Sequence, residues 1–424
     1  MKSNPVLNNF IGGEISPKLS ARSDSELFKR SVARCENFIP QTQGGVKFRL
    51  GTRVVHNTRF GLKSILVPFQ YSETQAYLLE LTNQAMRFYK NNQVITRVGK
   101  AITGITKANP AVVTINSHGF TTGQEVYISG VAGMTEVNNR FFLINVINAN
   151  TFNLAHPVTG TGENSTNYTT YTSGGVAATV YEIATPFTVD SLLDLRWTQS
   201  GDIQYFTSRQ YETRKLTRTA HTAWTLSTYT RTSDFQTTAR KYPRACCITS
   251  DGRLVLASTA DNPETMFGSM TPNTSGNRYD NFTVGSGASD AFIYTAAPVL
   301  NRPDIIQWIA NLNKKIVIGA YSSIREGRGA SDDESMSPLG VDIRPISEFG
   351  AENAVPISTG SSIYYIQRTG KKIRSIDYDL QSQGYVNNDR TKYVEHLMTP
   401  GAINMVICKG APDILWTTLA NGRL

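Results

Sequence analysis

The sequence predicts a mainly β protein: a β-propeller-like fold of about six blades, with an N-terminal docking arm containing a short helix and an inserted small β-barrel. Three observations carry this. Thr, Asn, Ser, Tyr and Gly are abundant while helix-forming runs are few, a composition that suits half-buried strands and tight turns. Short alternating segments gather in clusters of about four. Those clusters recur at the spacing of a propeller blade, about 40–50 residues. The 424-residue length allows two or three domains, and four regions are expected: an arm and helix at 1–60, a first blade at 61–98, the inserted module at 99–178, and the remaining blades at 179–424.

The arm is a series of local start and stop signals. Gly12-Gly13 permits a bend, Ser16-Pro17 suits a short helical turn, and Ser23-Asp24-Ser25-Glu26 has capping-box spacing. A helix is therefore predicted from about Asp24, with Phe28, Val32 and Cys35 on one face and its end at Asn37 and Pro40. Gln43-Gly44-Gly45-Val46 reads as a turn into a strand.

Ile65-Val67-Phe69 and Tyr77-Leu79-Leu81 alternate, followed by Met86-Phe88 and Val94 past a turn at Asn91-Asn92. Four short antiparallel strands make one blade. From Gly99 to Ala178 the composition shifts to Thr, Asn, Gly and Ser, and a self-contained barrel set into a loop is expected. The parent pattern resumes at Tyr181, and clusters start near 193, 245, 306, 355 and 403. The sixth is short of its outer strands. It is completed either by residues beyond Leu424, the favoured expectation, or by the early strand Val46–Val55.

Lys and Arg number 42 against 33 Asp and Glu, a formal charge of +9. That balance invites a nucleic-acid partner, yet the cations are scattered and no block of like charge forms a tail. Cys35, Cys246, Cys247 and Cys408 fit neither a zinc pattern nor a secreted disulfide framework. Cys246 and Cys247 are adjacent in a strand-like run and should point to opposite faces. The N-terminus leads into no apolar signal core and no run approaches membrane-spanning length, so synthesis in a reducing cytoplasm is expected.

Catalytic signals are weak. Asp332-Asp333-Glu334 sits in a Gly/Ser-rich stretch, where consecutive carboxylates are poorly preorganised. His56, His118, His156, His221 and His396 show no zinc-ligand spacing. Gly327-Arg328-Gly329 is too short for a phosphate loop. Arg87-Phe88-Tyr89-Lys90, Arg196-Trp197 and Lys392-Tyr393 place aromatics beside cations, but alternation assigns most of those rings to the core rather than to base stacking. No catalytic, cofactor-binding or metal-ligating residue is assigned; the expectation is a non-enzyme without cofactors.

The order of Gly12-Gly13-Glu14-Ile15-Ser16-Pro17, Arg22-Ser23-Asp24, Cys35-Glu36-Asn37-Phe38-Ile39-Pro40 and Gly44-Gly45-Val46…Arg49…Gly51-Thr52-Arg53 resembles the N-terminus of tail nozzle proteins (tail tubular protein B) of short-tailed bacteriophages. Tyr242-Pro243-Arg244, Gly252-Arg253-Leu254, Asp280-Asn281-Phe282 and the Asp377-Tyr378…Tyr385…Asp389 region continue the likeness. Phe48-Arg49-Leu50-Gly51 departs from the family's Arg-Arg-Pro-Gly. The insert, through Ser117-His118-Gly119-Phe120-Thr121-Thr122-Gly123 and Asn148-Ala149-Asn150-Thr151-Phe152, resembles a small β-barrel module of phage tail proteins and of the first catalytic cysteine half-domain of ubiquitin-activating enzymes. No cysteine lies within it, so ubiquitin chemistry does not carry over.

The resemblance implies a structural virion protein located in the tail, assembled in the host cytoplasm. It would form a six-fold ring below a tail adaptor ring, hold tail fibres or other tail proteins, and pass double-stranded DNA transiently. Ile11, Gly12, Gly13, Glu14, Ile15, Ser16, Pro17 and Leu19 are the expected subunit contacts of the arm. A DNA duct should have a neutral or acidic wall, because a few Lys or Arg contacts to phosphate shift affinity by roughly 10³-fold and would stall ejection. Two other classes compete with this reading. A carbohydrate-binding or carbohydrate-cleaving propeller would need two carboxylates about 5–10 Å apart in a cleft, and no clear pair is present. A nucleic-acid-binding β-protein is supported by net charge alone.

Overall fold

The structure is a computed structural model that describes residues 8–232, 242–276, 278–297, 304–312, 314–331, 334–381, 384–410 and 413–424. Among the described residues six antiparallel sheets follow one another along the chain, and in all but the first, which takes one strand from beyond the insert, the strands pair with their sequence neighbours. The second blade is Arg196–Ser200, Ile203–Thr207, Arg214–Ala220 and Ala223–Thr228. The third is Ala245–Ile248, Leu254–Ala257, Thr265–Gly268 and Phe292–Thr295. The fourth is Ile306–Leu312, Lys315–Ala320, Ile324–Arg328 and Asp342–Ser347. The fifth is Ile357–Ser358, Ser362–Ile366, Ile373–Asp379 and Gly384–Asp389.

Strand alternation explains how the blades adhere. Side chains on successive residues point to opposite faces, so each inner strand feeds the cores on both its sides. Cys246 belongs to the core shared with the second blade, beside Tyr205 and Tyr229. Cys247 belongs to the core shared with the fourth, beside Ile306 and Ile318. The opposed orientation expected of the two cysteines is therefore present. Burial pushes the Cys246 thiol up to about 12 and Cys247 up as well. At the ends of the series, Ile65 of the first blade and Ile403 of the sixth line one small cavity with Leu195, Trp197 and Val355. The first and last blades of the series thus come together beside the second and fifth.

The first blade begins with Ile65–Gln70, Ala76–Thr82 and Ala85–Lys90. Its fourth position is made of two pieces, Gln93–Val94 and Glu182–Ala184, both antiparallel to Ala85–Lys90. Ile95 N donates to Phe88 O, and Tyr181 N donates to Ile95 O, each at 2.8 Å. The insert is therefore spliced into a strand, not into a loop as expected. A ladder tolerates this because chain ends that are already neighbours add little closure entropy.

The insert forms one seven-stranded sheet around its own core of Val113, Val126, Ile128, Phe142, Ile144, Phe152 and neighbours. Its edge strands, Lys100–Ala101 and Gly104–Ile105, are two pieces of a single segment. Ile102 N bonds Gly175 O, and Thr103 N bonds Thr114 O, both at 2.9 Å. The sheet curls until that segment serves both edges, but no ladder joins first strand to last, so the expected barrel is an open, rolled sheet. Gly175, at φ +92°, lies where a Cβ would sit 2.4 Å from Val131 Cγ2; the sharp bend needs glycine there.

The sixth sheet has two strands, Ala402–Cys408 and Ile414–Leu419. Val46–Phe48 does not join it; it pairs with Phe38–Pro40 instead. Arg49 nevertheless lies over the Trp416 ring, 5.9 Å from its centroid.

The expected arm helix is absent. Phe28–Arg30 is a single 3-10 turn. Ser31–Val32 is extended and pairs in parallel with Gly13–Glu14. The acidic groups of the presumed capping box are engaged elsewhere, Asp24 with Arg22 at 2.8 Å and Glu26 with Lys29 at 2.7 Å. Non-local pairing has overridden a local signal. The shorter turn does form: Pro17–Leu19 is a 3-10 turn, and Ser16 accepts from Lys18 N.

Candidate functional site

The arm is held first by its own chain. Gly12 passes so close to the second arm segment that a Cβ would stand 2.1 Å from Ser31 Oγ. Glu14 accepts from Cys35 N at 2.7 Å, and His396 Nε2 lies 2.8 Å from its other oxygen. Ser16 N donates to Tyr393 O at 2.8 Å, and Lys18 pairs with Glu395. Ile15 and Ser16 are buried. Of the eight residues expected at subunit contacts, Glu14 and Ser16 thus engage the segment between the fifth and sixth blades, Ile15 donates its N–H to Val32 O of the arm, and Gly12 and Gly13 shape the paired strand. Ile11 and Pro17 are exposed, and Leu19 is half-buried.

Two apolar surfaces lie beside this anchor and are open among the described residues. One is a groove of about 880 Å³ between the Pro17 and Phe28 turns, with Ile15, Phe28 and Val32 in its lining. The other is a ridge further along, where Phe38 and Phe48 stack with ring centroids 4.5 Å apart. On that ridge Phe48 is 73% exposed, Leu50 79% and Val54 82%. The stacked Phe38 and Phe48, with exposed Leu50 and Val54 following in sequence, make an unusually apolar exposed stretch. The motif resemblance points to residues 11–19; Val46–Val55 reads as an ordinary strand, and its exposure has no signature in the sequence.

A second cluster fixes the insert to the propeller. Arg87, in the first blade, donates through Nη1 to Glu125 of the insert at 2.8 Å and through Nε to Glu182 at 3.1 Å. His56 Nε2 stands 3.1 Å from the other Glu125 oxygen, and Arg59 Nε donates to Glu182 at 3.2 Å. Glu80 accepts from Arg59 N at 3.1 Å and from the Tyr89 hydroxyl at 2.5 Å. Burial works against the Arg87 charge, but Glu125 and Glu182 outweigh it and hold the guanidinium charged. Burial, with Glu80 beside it, pushes the Tyr89 phenol up. Buried charges persist only when so paired. Sequence spacing shows none of this, since the partners come from four separate segments.

The remaining candidates are structural where described. Asp332 and Asp333 lie outside the described residues, and Glu334 is exposed. His118 accepts from Phe120 N at 2.9 Å and faces Asn148 O. Arg328 closes a strand and pairs with Asp342 at 2.9 Å rather than opening a phosphate loop. Phe88 is wholly buried and Trp197 packs against a core, while Tyr393 is exposed. Among the described residues no group of three or more His, Cys, Asp or Glu side chains is placed to hold a metal ion. Among them, too, no helix is long and apolar enough to cross a membrane.

A family model of the ubiquitin-activating enzyme E1 FCCH domain matches residues 108–181, within the insert. Among solved structures, the chain is similar to the β-propeller domain of Myceliophteria thermophila Cps50 (Swd1), with a TM-score of 0.37 and 8% identity over 85% of this chain and 96% of that one. It is also similar to the extracellular domain of the hybrid two component system BT4673 from B. thetaiotaomicron, with a TM-score of 0.35 and 9% identity over 84% of this chain and 37% of that one. No curated protein matches the sequence.

Proposed function

We propose that this β-propeller protein is a structural virion component, a nozzle subunit of a short phage tail that assembles into a ring around the path of exiting DNA. The observation that carries the reading is the uncovered apolar ridge from Phe38 to Val54, next to an arm whose motifs resemble those of tail nozzle proteins. The arm anchors itself to its own chain through Glu14 and Ser16, which gives the ridge a fixed direction. Packing that ridge on a different face of a second copy is a heterologous contact, and such contacts close into rings when the rotation permits. Six-fold symmetry, an adaptor ring above, and fibres or other tail proteins at the side belong to the same proposal, as does a virion location. The sheet inserted in the first blade is a suitable platform for such side attachment. No catalytic role is proposed.

Mass photometry and negative-stain imaging of the purified chain test this. The expected result is a ring several chains in mass. A monomer that persists at micromolar concentration, or one that turns over host glycans, would count against it.

A further inference from the structure

The first and last blades meet at one end of their inner strands, where Ile65 and Ile403 line one small cavity. Further along, both leave a face open. Val67 packs in the core shared with the second blade, so Leu66 points the other way, and it is 55% exposed. Met405 packs in the core shared with the fifth blade, so Val406 points the other way, and it is 60% exposed. In the order of the series these two open faces look onto the seam between sixth blade and first. Cross-strand partners share a face, which sets Glu80 beside Leu66 and Trp416 beside Val406. No ladder joins the two sheets among the described residues.

One segment of the arm spans this seam and is fixed on both sides of it. At its start Arg49 lies over the Trp416 ring of the sixth blade, 5.9 Å from the centroid. At its end Arg59 N donates to Glu80 of the first blade at 3.1 Å, and His56 Nδ1 lies 3.4 Å from the Tyr89 hydroxyl. Val55, His56 and Thr58 share a cavity of about 440 Å³ with Leu66, Leu78 and Glu80 on the open face of the first blade. From Leu50 to Asn57 the segment forms no main-chain to main-chain hydrogen bond among the described residues. Its path is therefore set by its two ends. We infer that residues 49–59 are a clasp that closes the circle of blades, in place of the face-to-face packing that joins the others. A propeller is stable when its edges are short and protected, and the clasp keeps the two terminal blades from parting along the seam. It acts within one chain and does not rest on assembly of several chains into a ring.

Hydrogen–deuterium exchange read by mass spectrometry tests the clasp. Of the two blades Arg49 touches the sixth, yet Arg49→Ala should speed exchange about two- to fivefold in Ile65–Gln70 of the first blade as well as in Ala402–Cys408. Ala245–Ile248 of the third blade should be unaffected. A second variant carries a protease recognition site between Gly51 and Thr52. Uncut, it should exchange like the wild type; once cut, both terminal blades should exchange about tenfold faster. Unchanged exchange in Ile65–Gln70 of Arg49→Ala, or a cut that leaves both blades at the wild-type rate, would overturn the clasp. If Arg49→Ala does not fold, the cut protein decides alone, because it is prepared from folded material.

Discussion

Arg87 of the first blade and Glu125 of the inserted sheet meet at 2.8 Å with their side chains 1% and 4% exposed. This pair, reinforced by His56 and Glu182, is the polar joint between two hydrophobic cores that share no residue.

Removing one partner of such a joint leaves the other buried and unpaired. Glu125→Leu or Arg87→Met alone should destabilise the protein by about 3–5 kcal/mol, and the double variant by less than the sum. Urea unfolding followed by tryptophan fluorescence, with proteolysis of the insert as a second readout, measures this. Additive losses would show that the two groups do not act as a pair.

The ridge should contribute to assembly and little to folding. Phe48→Asp combined with Val54→Asp should leave the monomer's melting temperature nearly unchanged, since surface substitutions usually stay within about 0.5 kcal/mol. The ring population in mass photometry should fall at least tenfold. Rings that survive this double change would locate the subunit contact elsewhere without disproving the ring itself.

Gly12 has no room for a methyl group, with a Cβ position 2.1 Å from Ser31 Oγ and 2.8 Å from Arg30 O. Gly12→Ala should force the paired arm segments apart at a cost of about 1–3 kcal/mol. Cys35, whose backbone N–H is held by Glu14, should then react faster with a thiol reagent in a Cys408→Ser background. An unchanged labelling rate would mean that the arm strand can shift to accept the methyl.

Asp377 supplies a pH dependence with a definite sign. Burial opposes its ionisation, but hydrogen bonds from Ser362, Ser375 and Asn388 and the charge of Arg390 prevail, and its pKa is lowered. Its contribution is fully present above the ordinary carboxylate value near 4 and is lost as pH falls through the lower folded value. Melting temperature should therefore drop between about pH 5 and pH 2. Asp377→Asn should start lower at neutral pH and lose less across that window. Parallel curves for the two proteins would remove Asp377 from the acid response.

Much of the propeller is legible in the residues themselves. Ile65-Val67-Phe69 alternates because each inner strand serves the packed cores beside it, and the cluster starts near 193, 245, 306, 355 and 403 fall within three residues of the inner strands at Arg196, Ala245, Ile306, Ile357 and Ala402. The arm is less legible, because Ser23 to Glu26 carries a sound helix signal that loses to a strand pairing with Gly13–Glu14, a contact remote in sequence. The joint at Arg87 is invisible for the same reason: His56 and Glu125 are brought together only once blade and insert are both folded. The exposed ridge has the composition of a strand, and only its lack of a covering partner distinguishes it.

The splice at Ile95 and Tyr181 has a further consequence. The chain leaves the blade and re-enters it through neighbouring peptides, so the insert begins and ends at one strand position, with Tyr181 already part of the blade's core. Joining Ile95 directly to Glu182 would take Glu125 away from Arg87, which keeps Glu182, and would take Tyr181 out of the blade's core.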